Sequence, residues 1–139
     1  MKVAVEVLAD FESAGEWLAD VQALESAGAD AFALGDGPHD RRSLLAALAA
    51  VTYRAGLLLD DADESLATVR ALARGRVVDP AEQWHRIPAP EDRAHWTRLR
   101  EEAQAAGADG VVVPMNPRLL DLLRNPEETE RDDLNLATG

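Results

Sequence analysis

The stretch SAGADAFALGDG, residues 26–37, returns in altered form as AAGADGVVVPMN, residues 105–116. Each copy opens on an Ala-Gly that stops a helix, turns through Ala-Asp, runs through small or apolar residues, and breaks at Gly35-Asp36-Gly37 or at Pro114-Met115-Asn116. This is the signature of a helix-to-strand joint followed by a loop. Used twice in one chain, it points to repeated β-α units and a parallel sheet, because parallel neighbours need a crossover helix between them.

Working outward, the same alternation extends to both ends of the chain. Val3 to Leu8 is an apolar run broken only by Glu6, short enough for a strand buried on both faces. Asp10 or Ser13 caps the next helix, in which Trp17, Leu18, Val21, Leu24 and Ala27 share one face and Gly28 is the stop. Ala31 to Leu34 reads as the second strand, and Asp40 or Ser43 starts a helix with the stripe Leu44, Leu45, Leu48 and Val51. Ala55 to Leu59 reads as the third strand, leading through Asp60-Asp61-Ala62-Asp63-Glu64 into a helix carrying Leu66, Val69, Leu72 and Ala73. A short fourth strand is expected at Val77-Val78, followed by an excursion with Pro80, Pro88 and Pro90. Pro90, Glu91 and Asp92 open a helix whose buried stripe is Trp96, Leu99, Ala103 and Ala106. Gly110 to Val113 is the last strand, and Asn116-Pro117 signals a short Leu-rich helix. Residues 1–139 read as a single α/β domain, with 127–139 as an acidic C-terminal tail.

Composition excludes several function classes. The net charge of −12 repels phosphate backbones and anionic lipid, so neither nucleic acid nor a membrane surface is an expected partner. Cysteine is absent, which removes disulfides, thiolate nucleophiles and Cys-ligated zinc. Only Lys2 precedes the first apolar run and no run approaches membrane-spanning length, so a cytoplasmic protein is expected. Lys2 is the only lysine, ahead of the first strand, which argues against Schiff-base chemistry. There is no Gly-x-Ser-x-Gly elbow, and the three histidines lack paired metal-ligand spacing, so no metal is expected. What remains is chemistry supplied by a cofactor, or none.

In parallel α/β sheets function gathers at the carboxyl ends of the strands. The richest loop there is Gly35-Asp36-Gly37-Pro38-His39-Asp40-Arg41-Arg42. Gly35 and Gly37 permit close backbone approach, His39 exchanges protons near neutrality, and Arg41 and Arg42 are suited to an anion at a helix start. The same residues also make an ordinary turn, a helix cap and two solvated arginines. Asp60, Asp61, Asp63 and Glu64 are oxygen ligands a divalent cation would accept, yet capping a helix explains them without a metal. Glu6 inside its strand either faces a polar interior or pairs with a cation such as Arg54. Trp17, Trp84 and Trp96 read as core residues.

The order of these pieces resembles a known family. MKVAVEVLAD followed by LESAGADAFALGDGPHDRRSLLAALAAVTYRAGLLL looks like the first three β-α units of the luciferase-like flavin-dependent oxidoreductases, the bacterial luciferase-like monooxygenases. LREEAQAAGADGVVVPMNPRLLDLLRNP is similar to that family's closing segment and to its short bacterial relatives. The resemblance implies a TIM-like parallel β/α barrel binding FMN or a deazaflavin. It implies catalytic positions at Asp36 and His39, near the reactive ring, and cofactor contacts from Gly35, Gly37, Arg41 and Asp60.

A complete barrel of this kind takes about 250 residues, so the 139 residues here imply a shortened or partial barrel without its middle strands. The last strand is then expected beside the first, and much of the flavin phosphate site is missing. Two readings stay open: an oxidoreductase whose site a second subunit completes, or a non-catalytic binding or assembly module. Either way the open sheet favours a homodimer, through helix surfaces carrying Leu44, Leu48 and Val51 or Leu66, Val69 and Leu72.

Overall fold

Both echoed joints deliver a strand to the same neighbour. The computed structural model describes residues 1–60 and 66–124, so Asp61, Asp63, Glu64 and the acidic tail from Glu127 lie outside the described residues. In chain order the elements are β1 (Lys2–Val7), α1 (Ala14–Ala27), β2 (Ala31–Leu34), α2 (Arg41–Val51), β3 (Gly56–Leu58), α3 (Ala67–Ala73), β4 (Trp84–Arg86), α4 (Arg93–Ala105), β5 (Gly110–Pro114) and α5 (Leu119–Arg124). They form one parallel sheet in the order β3-β2-β1-β5-β4. The chain is thus an α/β protein whose last strand lies beside its first, with short β4 outside β5.

Each joint works by the same chemistry. Gly28 and Gly107 end their helices with φ of 122° and 89°, a region costly for any residue with a Cβ. Two residues on, an aspartate grips both flanking strands. The Asp30 carboxylate accepts the Val3 N–H at 2.8 Å, while its backbone donates to Val3 O at 2.8 Å and accepts from Gly56 N at 2.9 Å. Asp109 does the same one strand over: its carboxylate accepts from Gln83 N at 2.8 Å, its N–H donates to Gln83 O at 2.8 Å, and its carbonyl accepts from Lys2 N at 3.3 Å. The register of four strand pairings is therefore fixed at their amino ends.

The five helices of the described residues cover one face. Val3, Val5 and Val7 of β1 point into the large core with Phe32 and Leu34, where Trp17, Leu45, Leu48, Val69, Trp96 and Leu119 meet them from the helices. The alternate residues, Ala4, Ala31, Ala33 and Val112, form a separate small cluster on the other face, where the apolar side chains packed on it are Leu58, Val78 and Trp84, none of them from a helix. The hydrophobic stripes offered for self-association are consumed here. Leu44, Leu48 and Val69 are core residues and Val51 and Leu66 pack against them, leaving Leu72 exposed. Each helix has one apolar stripe, and the sheet takes it.

The fourth strand falls elsewhere than expected. Val77 makes only a single bridge to Leu57: Arg76 O accepts from Leu57 N at 2.7 Å and Val78 N donates to Leu57 O at 2.9 Å. Pro80 has no N–H with which to extend that ladder. The chain instead crosses the helix-free face and forms β4 at Trp84–Arg86 on the opposite edge. The indole of Trp84 lies over Gly110, where a Cβ would come within 2.5 Å of it, so only glycine fits there.

The turn from α2 into β3 is held from two sides. Glu25, at 7% exposure, accepts the backbone N–H groups of Tyr53, Arg54 and Ala55 at 2.7–3.0 Å. Burial pushes its carboxyl pKa up, but the N–H groups of Ala55, Arg54 and Tyr53, with the Arg54 charge, outweigh burial and hold it below the ordinary value. Arg76 takes the carbonyl side, donating to Ala49 O at 2.8 Å, Ala55 O at 2.7 Å and the Thr52 hydroxyl at 2.8 Å. Among the described residues no helix is long and apolar enough to cross a membrane.

Candidate functional site

At the carboxyl rim, the loop after β2 is braced against the loop after β1. Gly35 N donates to Val7 O at 2.8 Å, Ala9 N to Asp36 O at 3.2 Å, and His39 N to Ala9 O at 3.1 Å. Gly37 lies so close to Ala9 that a Cβ would stand 2.1 Å from its carbonyl oxygen. The His39 ring stacks on Phe11 with centroids 4.0 Å apart and planes within 5°. Its Nε2 is 3.3 Å from Phe11 O, and since a carbonyl only accepts, that contact requires a proton on Nε2. Phe11 in turn meets Trp17, whose indole N–H donates to Leu8 O at 3.0 Å. Gly35, Asp36, Gly37 and His39 are thus brought together as a brace between two loops.

The arginine of the same loop turns elsewhere. Asp40 caps α2, accepting the Ser43 hydroxyl at 2.6 Å and the Ser43 N–H at 3.0 Å, and these two bonds lower its pKa. Arg41, in the first turn of α2, reaches over the helix-free face. It donates to Leu34 O at 3.0 Å and to Asp60 at 3.4 Å. Arg41 and Asp60, both proposed from sequence as cofactor contacts, therefore share one place. They form one wall of an open cleft of about 210 Å³, with Ala33, Leu58 and Val112 in its lining and Trp84 and Arg86 from β4.

Arg86 pairs with Glu6 of β1. Glu6 therefore does not pair with Arg54, which donates instead to Glu25 O at 2.7 Å. Arg86 is 70% exposed and Glu6 23%, so the pair is anchored on the sheet and opens to solvent. Arg86 and Trp84 were missed in the sequence because they sit in a proline-bounded segment; the clue was the alternation Trp84-His85-Arg86, with side chains two apart on one face.

The cleft is lined by two guanidinium groups, Arg41 and Arg86, and one carboxylate, Asp60, above a floor of apolar side chains, and Glu6 meets it only through its pairing with Arg86. Such a site can present donors and acceptors to a flat ligand but assembles no nucleophile with a base. Among the described residues there is no group of three or more His, Asp or Glu side chains able to hold a metal ion. A larger cavity of about 480 Å³ lies at the amino ends of the strands, where Lys2–Glu82 and Trp84–Glu82 contacts cross-link its polar lining.

The brace predicts that His39→Ala costs about 1 kcal/mol, the value of a well-placed ring pair. Thermal unfolding checks it, and an unchanged midpoint would show that the stack contributes nothing. No protein-family model, curated protein or solved structure matches this chain.

Proposed function

We propose that this chain is a shortened luciferase-like β/α barrel that binds a flavin or deazaflavin ring in the cleft between Arg41–Asp60 and Arg86–Glu6, with a second copy completing the site. The observation that carries the reading is the cleft itself. It lies at the carboxyl ends of parallel strands, on the face the helices leave open, where cofactors of barrel proteins bind. The winding supports the same reading: β1 to β2 to β3 and β4 to β5 step in one direction, as in a barrel, and all helices lie on one side.

In this role Arg41 and Arg86 bind the ring's carbonyl edge, Asp60 accepts from its N–H, Glu6 holds Arg86 in place, and Trp84 closes the inner end. The test is a titration with FMN followed by quenching of flavin fluorescence. Saturable binding below about 100 µM, roughly 5.5 kcal/mol, is expected. Absence of saturation up to about 1 mM refutes the reading.

A non-catalytic assembly module is the second reading, favoured by the commitment of Asp36 and His39 to the loop brace rather than to open space. It expects a homodimer without flavin affinity. Light scattering at micromolar concentration tests the dimer, and a monomer refutes it.

A further inference from the structure

We infer that the cleft selects an uncharged fused heteroaromatic ring and has no site for a phosphate, so the ring alone binds at least as well as its nucleotide. The inference rests on the cleft being the ligand site, as proposed above, and goes further by naming what is recognised. Both cations of the cleft are already engaged. Arg41 is held by Leu34 O and Asp60, and Arg86 by Glu6. An incoming phosphate must share each guanidinium with a carboxylate and would sit beside that carboxylate's negative charge.

The nearest helix amino terminus, that of α2, gives no relief. Its first turn is capped by the Asp40 carboxylate, which puts a negative charge where an anion would be drawn. The chain as a whole carries −12, which adds long-range repulsion. Size acts in the same direction: the cleft is about 210 Å³, below the roughly 300–1,000 Å³ of sites that enclose a drug-sized ligand. A ring enters and its substituent stays in solvent.

What the cleft does offer suits an imide or amide edge, which needs donors and acceptors side by side. The guanidinium groups of Arg41 and Arg86 and the carboxylate of Asp60 line it together with Ala33, Leu58 and Val112, while the half-buried Trp84 supplies an aromatic surface held in place by Gly110 and by its N–H bond to Glu82 at 3.2 Å.

The test compares lumiflavin, riboflavin and FMN on the full chain, reading both flavin and tryptophan fluorescence. Lumiflavin and riboflavin are expected to bind within about threefold of FMN or more tightly, with little dependence on salt. Asp40→Asn keeps the helix cap while removing its charge, and should tighten FMN about threefold with riboflavin unchanged. Ala33→Leu, which fills the floor, should weaken all three about tenfold or more; Arg86→Gln serves the same purpose on the exposed wall, where folding is not at stake. FMN binding about tenfold more tightly than riboflavin overturns this inference while leaving the flavin reading standing. Failure of all three to bind overturns both.

Discussion

Glu25→Ala is expected to destabilise the protein by about 4 kcal/mol, a large part of the 5–15 kcal/mol that holds a typical domain together. The substitution removes an acceptor shared by the N–H groups of Tyr53, Arg54 and Ala55 in the turn entering β3. The Ala55 N–H is buried and would forfeit solvation as well as its bond, while the partly buried Tyr53 and Arg54 N–H groups lose a charged acceptor, which is why one side chain weighs so much. The melting temperature should fall by about 10 °C. Acid titration gives a second readout. The folded-state pKa of Glu25 is depressed below its ordinary 4.5, so its contribution is fully present above that value and is lost as pH falls through the lower folded value. Glu25→Gln should therefore flatten the stability profile in that acid window. A variant with the wild-type slope and melting temperature would show that the turn holds without the carboxylate.

Gly37→Ala is expected to cost about 3 kcal/mol. The new Cβ would lie 2.1 Å from Ala9 O and 2.3 Å from the carbonyl carbon, and backbone against backbone leaves no rotamer to relieve the clash. The loop must lift, breaking the Ala9–Asp36 and His39–Ala9 bonds and the Phe11 stack. Gly35→Ala is the control, because its closest contact, at 2.9 Å, is the end of the Leu8 side chain, which can swing aside. That variant should cost less than about 1.5 kcal/mol. The ring-proton shifts of His39 report the stack directly, and a Gly37→Ala protein retaining them would refute the argument.

The elements legible in the sequence are those whose signals are local. Ser13 caps α1 and Asp40 caps α2, and Ala31–Leu34 is a strand between a helix stop and a Gly-Asp-Gly break. β4 was not legible, since three residues carry too little period and the flanking prolines argue for a loop. The helix at Pro90 begins slightly later, with Asp92 accepting the His95 N–H as cap. In the site, the Gly35–Arg41 loop stood out by composition, but composition does not say which way a side chain turns: Arg41 crosses to Asp60 while His39 folds onto Phe11. Glu25 and Arg76 gave no signal at all, because a helix-surface glutamate and a strand-start arginine look solvated until their distant backbone partners are known.

Among the described strands, β1 is synthesised before the others yet sits in the middle of the sheet, and its second neighbour, β5, is made after the rest. At about 5–20 residues per second, β1 waits roughly 3–10 s with one flank bare after β3 has been made. During that interval a nascent β1-β2-β3 piece exposes an unpaired edge able to recruit other chains. Lys2 and Glu6 put opposite charges near the two ends of that edge, where they discourage in-register pairing with a second nascent copy. The arrival of β5, with Asp109 set against Lys2, ends the exposure in a single step, so the safety of synthesis depends on a joint made about 50 residues after β3.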